Sequence, residues 1–174
     1  RGWPVLDADQ YAREALAPNT AAAKAVAQRF DGAVGDVSAL DRSALGHIVF
    51  NSAEERRWLE SLIHPVVRER FQKELERHSQ APVVVLMIPL LFETGLEALC
   101  SEVWLVDCEP QQQLERLMRR SGLNQADAQA RLAAQWPLSR KRPLADRVID
   151  NRGNADALAA AVNRCDPPSR GTTW

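Results

Sequence analysis

Val83-Val84-Val85-Leu86-Met87-Ile88 is an unbroken apolar run, and Pro89 ends it. A strand with one wet face alternates apolar and polar residues. This run does not alternate, which predicts a strand buried on both faces and hence a parallel sheet covered by helices on either side. Val103-Trp104-Leu105-Val106, closing on Asp107, reads the same way. Two shorter runs also end in acids: Val5-Leu6 leads to Asp7-Ala8-Asp9, and Arg147-Val148-Ile149 leads to Asp150-Asn151. Because helical stretches separate these strands, the fold class is α/β with a parallel sheet.

The helices are placed by caps and breakers. Residues 10–16 follow the first strand, and Pro18-Asn19 breaks that helix. Thr20 caps a helix to about Phe30, and Asp31-Gly32 and Gly35-Asp36 mark turns. Asp41 caps 42–50, and Ser52 with Glu55 has the pattern of a capping box for a helix ending near Ile63. His64-Pro65 predicts a boundary, with Pro65 opening a new helix to about Ser79. Residues 90–96 read as a loop or short helix closed by Gly95. Pro110 begins a helix that Gly122 stops, Asn124 caps another to about Gln135, and 155–163 form the last. Between Pro137 and Pro143, Arg140-Lys141-Arg142 reads as a basic loop. The all-helical stretch between Asp9 and Ser79 is too long for one crossover and predicts an inserted subdomain. The tail, 166–174, has no periodicity and reads as disordered.

Composition narrows the function classes. With 22 basic and 23 acidic residues, the net charge of −1 gives no electrostatic case for nucleic acid or an anionic membrane. The longest apolar run is too short to span a bilayer. Three scattered cysteines make neither a disulfide framework nor a zinc site, which suits the cytoplasm. The residues after Arg1 do not read as a signal peptide. The chain opens on Arg1 and enters a strand at once, so the expectation is that the natural N-terminus lies upstream.

In open α/β sheets, chemistry gathers at the carboxyl ends of strands. Four such exits carry polar or special residues: Asp7 and Asp9, Pro89 to Glu93, Asp107, and Asp150 with Asn151. On local grounds Asp9 is either a helix cap or a functional acid. Arg116, Arg119, Arg120, Arg131, Arg140, Lys141 and Arg142 form a basic segment, with Arg116 and Arg120 spaced to share a helix face. An acidic cleft facing a mobile basic hairpin suits phosphoryl transfer, where cations neutralise the moving phosphoryl oxygens and an acid aligns the hydroxyl. Surface arginines on an ordinary amphipathic pair give the same pattern. His64 is a substrate contact or a boundary residue, and Trp58 and Trp104 read as core. No GxxxxGK[ST] phosphate loop occurs in the 174 residues.

Taken in order, several segments resemble the dephospho-CoA kinase family. They are Val5-Leu6-Asp7-Ala8-Asp9 with Tyr11-Ala12-Arg13, Leu40-Asp41-Arg42, Trp58-Leu59 to Ile63-His64-Pro65, and Ile88-Pro89-Leu90-Leu91-Phe92-Glu93. Gln113-Leu114-Glu115-Arg116-Leu117 with Arg120, Arg131-Leu132-Ala133-Ala134-Gln135, and Ala145-Asp146 to Asn151 complete the set. The resemblance covers about residues 3 to 163 and implies a three-layer parallel sheet of P-loop kinase type. The nucleotide-binding core would be 1–9, 80–109 and 143–165, with a helical CoA-substrate region at 10–79 and a helical lid at 110–142. It implies transfer of phosphate from ATP, accompanied by Mg2+, to the ribose 3′-hydroxyl of dephospho-CoA, in a cytoplasmic monomer or weak oligomer.

By that resemblance Asp9, Arg120 and Arg131 are catalytic. Asp7, Arg13, His64, Pro89 and Leu90 contact the CoA substrate, and Asn151 lies at the adenine edge. The family's first strand and its phosphate loop, about 20–25 residues with the following helix, are expected before Arg1. Ser121 and Met87 depart from the acids common at those positions. The alternatives are a non-catalytic CoA-binding or interaction protein and a different small-metabolite kinase.

Overall fold

The computed structural model describes residues 2–165, so the tail expectation for 166–174 lies outside the described residues. The chain divides into two units, parted between Pro89 and Leu90.

The first unit contains strand β1 (Val5–Asp7), helices α1 (Ala8–Ala15) and α2 (Ala21–Phe30), and a two-rung hairpin of β2 (Gly35–Asp36) and β3 (Ala39–Leu40). Helices α3 (Arg42–Asn51) and α4 (Ala53–Arg77) and strand β4 (Val85–Met87) complete it. β1 and β4 pair in parallel, Leu6 beside Leu86 and Asp7 beside Met87. The expected caps form at three helices. Thr20 accepts from the Ala23 N–H, Asp41 from those of Ser43 and Ala44, and Ser52 from that of Glu55. Only half of the capping box at Ser52 is made, because the Glu55 carboxylate turns to Arg29, 3.1 Å from its Nη2.

Gly35 was expected in a turn and instead opens the β2–β3 hairpin. Its φ is +78°, and a Cβ there would meet the Ala39 carbonyl oxygen at 2.5 Å, so no side chain fits. Two-residue strands carry too little alternation to be read from sequence.

α4 corrects a second expectation. One unbroken 25-residue helix runs through His64-Pro65. Pro65 removes one intrahelical bond, a local cost of about 3 kcal/mol. Packing on both sides of the proline outweighs it. N-terminal to Pro65, Trp58, Leu59 and Leu62 pack on a buried cluster of Val26, Val34 and Leu45. C-terminal to it, Phe71 is fully buried and meets Tyr11 of α1 edge-on, ring centroids 5.2 Å apart. Burial of a phenylalanine alone contributes about 1.5–3 kcal/mol.

The second unit contains β5 (Trp104–Asp107), α5 (Pro110–Ser121), α6 (Gln125–Ala133), the one-turn α7 (Leu138–Lys141), β6 (Arg147–Asp150) and α8 (Ala155–Arg164). β5 and β6 pair in parallel, placing Asp107 beside Asp150. α5 starts at Pro110 behind a reciprocal cap between Glu109 and Gln112 and stops at Gly122, whose φ of +63° is left-handed. The fold is thus α/β with parallel strands, seen as one parallel pair in each unit.

The strands are less buried than their sequence predicts. The Val83–Ile88 run shortens to Val85–Met87, and Met87 is 49% exposed; Val106 in β5 is 50% exposed. Two-stranded pairs cannot bury both faces of each strand, so apolar side chains remain open.

Candidate functional site

Asp7 and Asp9 stand one residue apart and do different things. Asp7 ends β1 in extended backbone, and its Oδ1 accepts the N–H groups of Asp9 at 2.8 Å and Gln10 at 3.3 Å. Asp7 is therefore the N-cap of α1, which corrects the expectation that a cap here would be Asp9. Asp9 sits in the first helical turn with its side chain exposed. The helix N-terminus favours negative charge at that position. Arg13 follows at i+4 on the same face and is exposed, its carbonyl accepting from Arg42 Nη2 at 3.2 Å. α1 is held by Tyr11, whose hydroxyl pKa is raised by burial and by the Glu74 charge, with Arg70 opposing. His64 lies exposed at mid-α4, and Pro89 is exposed at the end of the unit.

In the second unit the strand-exit acids are already neutralised. Asp107 accepts from Arg142 Nε at 2.9 Å. Asp150 is gripped by Arg152 through Nε, Nη2 and the backbone N–H. Those bonds, the side-chain ones first, pull the Asp150 carboxyl down to about 2. Side-by-side carboxylates on a ladder repel, and the two guanidiniums relieve this. Among the described residues no group of three or more His, Cys, Asp or Glu side chains is placed to hold a metal. In this unit Asp107 and Asp150 each anchor an arginine.

The basic segment splits by role. Arg116 Nη1 donates to the Asn151 carbonyl at 2.7 Å, and the Asn151 N–H donates to the Asp107 carbonyl at 2.8 Å. Gln112 Nε2 adds a bond to the Arg152 carbonyl at 2.9 Å. Arg116 thus ties α5 to the loop after β6, while Arg119 and Arg120 one turn on are exposed. Arg131 lies half-buried near the end of α6. The loop expected at 140–142 is a helical turn running into a 3-10 turn, and it is not a free basic surface. Arg140 stacks over Trp136 at 3.3 Å. Lys141 is only 5% exposed and pairs with Glu93 at 2.7 Å. Leu90, three residues before Glu93, is half-buried, and its carbonyl accepts from Thr94.

Sequence reasoning placed Glu93 at a strand exit, at the end of the Pro89-Leu90-Leu91-Phe92-Glu93 motif, but gave it no role or partner. Its partners lie more than forty residues away, so no local spacing points to them. Burial by itself would raise the Glu93 carboxyl, but Lys141 and the Trp136 N–H hold it below the usual range. Cys108 is buried just past β5, and that burial raises its thiol pKa.

Residues 1–157 match the family model described as dephospho-CoA kinase (CoaE). The chain belongs to the dephospho-CoA kinase family. It is thereby an enzyme of the transferase class, a kinase. The dephospho-CoA kinase of Parasynechococcus marenigrum (strain WH8102) is 66% identical over 174 residues, spanning 100% of this chain and 88% of the relative. That of Prochlorococcus marinus (strain MIT 9313) is 57% identical over 155 residues, spanning 86% of this chain and 76% of the relative. Among solved structures, TT1252 from Thermus thermophilus aligns with a TM-score of 0.77 at 38% identity, covering 93% of this chain and 82% of that one. The dephospho-CoA kinase from Campylobacter jejuni aligns with a TM-score of 0.65 at 28% identity, covering 93% and 83%. No helix among the described residues of this dephospho-CoA kinase family member is long and apolar enough to cross a membrane.

Proposed function

We propose that this protein transfers the γ-phosphoryl group of ATP to the ribose 3′-hydroxyl of dephospho-CoA, giving CoA and ADP, the last step of coenzyme A biosynthesis, in the cytoplasm. The observation that carries this reading is the family match over residues 1–157 together with the ordered set of motifs. Asp9 takes the role of base or aligner for the attacking hydroxyl. The reading is supported by the division of labour at the end of β1: Asp7 supplies the cap, which leaves the Asp9 carboxylate exposed in the first turn of α1. Arg13, His64, Pro89 and Leu90 lie on the CoA-substrate side, and Asn151 lies at the adenine edge.

Arg120 and Arg131, on a hairpin read as the lid, supply positive charge to the phosphoryl oxygens in flight, where electrostatic stabilisation dominates this chemistry. A Mg2+ ion would come with the nucleotide phosphates, as Mg2+ commonly does, rather than in an all-protein cage. The full three-layer sheet includes a first strand and a phosphate loop, and these 174 residues contain no GxxxxGK[ST] sequence to cradle ATP. That absence favours, for a polypeptide of these residues alone, a second reading in which the CoA substrate binds without turnover.

Calorimetry on the 174-residue polypeptide with dephospho-CoA and with ATP, beside a CoA-formation assay on a chain supplied with the phosphate loop, tests both readings. Kinase function requires the supplied chain to form CoA in preference to nucleoside products. Binding of dephospho-CoA with no turnover in either chain supports the non-catalytic reading, and phosphorylation of a nucleotide instead would overturn the substrate assignment.

A further inference from the structure

The basic hairpin is anchored at both roots, and one carboxylate oxygen makes the second anchor. Glu93 Oε1 accepts from Lys141 Nζ at 2.7 Å and from the Trp136 backbone N–H at 2.8 Å. Trp136 lies three residues past α6, and Lys141 closes α7, so the two bonds bracket the return of the hairpin. The other root is α5, tied through Arg116 and Gln112 to the Asn151 and Arg152 carbonyls.

The second site is costly. The Lys141 and Glu93 side chains are 7% and 14% exposed, and Glu93 Oε2 is buried with no hydrogen-bond partner. An apolar pair of similar volume is usually at least as stable as a buried ion pair. Stability alone therefore does not account for it. A carboxylate that must face one ammonium and one backbone N–H permits a single height and angle for the chain between them.

We propose that Glu93 and Lys141 form a positioning clamp for the arm that carries Arg131, five residues before Trp136. The clamp sets where that guanidinium stands during phosphoryl transfer. This rests on the reading of Arg131 given above, with the clamp residues acting through the arm and not on the reacting groups.

The test uses Glu93→Gln/Lys141→Met, which removes both charges at once, leaves no unpaired buried ion and keeps an acceptor for Trp136. Amide hydrogen exchange on the 174-residue chain is expected to quicken about tenfold at Trp136, with β5 and β6 amides unchanged within about twofold. In a chain supplied with the phosphate loop, kcat is expected to fall about tenfold while KM for both substrates stays within about twofold. Lys141→Arg, which keeps the charge, is expected to retain most of the rate. Unchanged exchange at Trp136, or a uniform rise across all amides, overturns the proposal. Arg131→Ala, run in parallel, separates the two claims. If Arg131→Ala leaves kcat unaltered, the reading of Arg131 fails and the positioning role with it. If it cuts kcat while the double variant does not, the clamp alone fails.

Discussion

Asp7 accepts two backbone N–H bonds and Asp9 accepts none of them, so the two acids are expected to fail in different ways. Asp7→Ala should lose about 1 kcal/mol of stability, the usual worth of an N-cap, read as a shift in denaturation midpoint. Asp9→Asn should cost at most about 0.3–1 kcal/mol, the worth of a charge at a helix N-terminus, and should lower turnover by about 10²-fold in a chain supplied with the phosphate loop, as loss of a general base does. Wild-type turnover in Asp9→Asn would remove it from that role. Arg131→Ala should cut turnover by about 10³-fold if it stabilises charge in flight; an unchanged rate constant would return it to the ordinary surface arginines. Glu93 gives a pH signature. Its carboxyl pKa lies below the usual value because Lys141 and Trp136 favour the charged form against the cost of burial. A depressed folded-state pKa adds stability above the unfolded value of about 4.3 and loses it as pH falls through the folded value. Urea midpoints should therefore fall as pH drops below the unfolded value, and less steeply in Glu93→Gln/Lys141→Met.

At the scale of elements, α4 is where local and tertiary preferences conflict. Proline at mid-helix removes a backbone donor and crowds the preceding turn, yet the helix continues because apolar residues on both sides of it are packed. Pro65→Ala restores the donor and is expected to raise the thermal midpoint, by the equivalent of about 1–3 kcal/mol. A lower midpoint would mean that the proline ring itself packs. Four helix caps were legible from sequence because a cap is a contact across two or three residues: Thr20, Asp41, Ser52 and Asn124 all bond their own helix. The joining of two helices into α4 was not legible, because the contacts responsible come from α1 and from the cluster around Val26.

For the whole molecule, the parallel pairing of β1 with β4 and of β5 with β6 agrees with the α/β reading, whereas the burial of those strands does not. Val5, Met87, Val106 and Val148 are each about half exposed or more. A polypeptide of these 174 residues is expected to form CoA at a negligible rate, since nothing in its sequence supplies a phosphate-cradling loop. CoA formation at an ordinary kinase rate by that polypeptide would overturn this.

Fold class, most helix caps and the family were determined by the residues themselves, because periodicity, capping and ordered motifs all express contacts between near neighbours. The tertiary structure decided what the charged residues do. The sequence places Arg116, Lys141 and Arg142 in one basic segment with Arg120 and Arg131. Only the fold brings Arg116 to the Asn151 carbonyl, Lys141 to Glu93 and Arg142 to Asp107. A cation's role depends on the group it meets, and these partners stand 35 to 48 residues away along the chain, where no local pattern points.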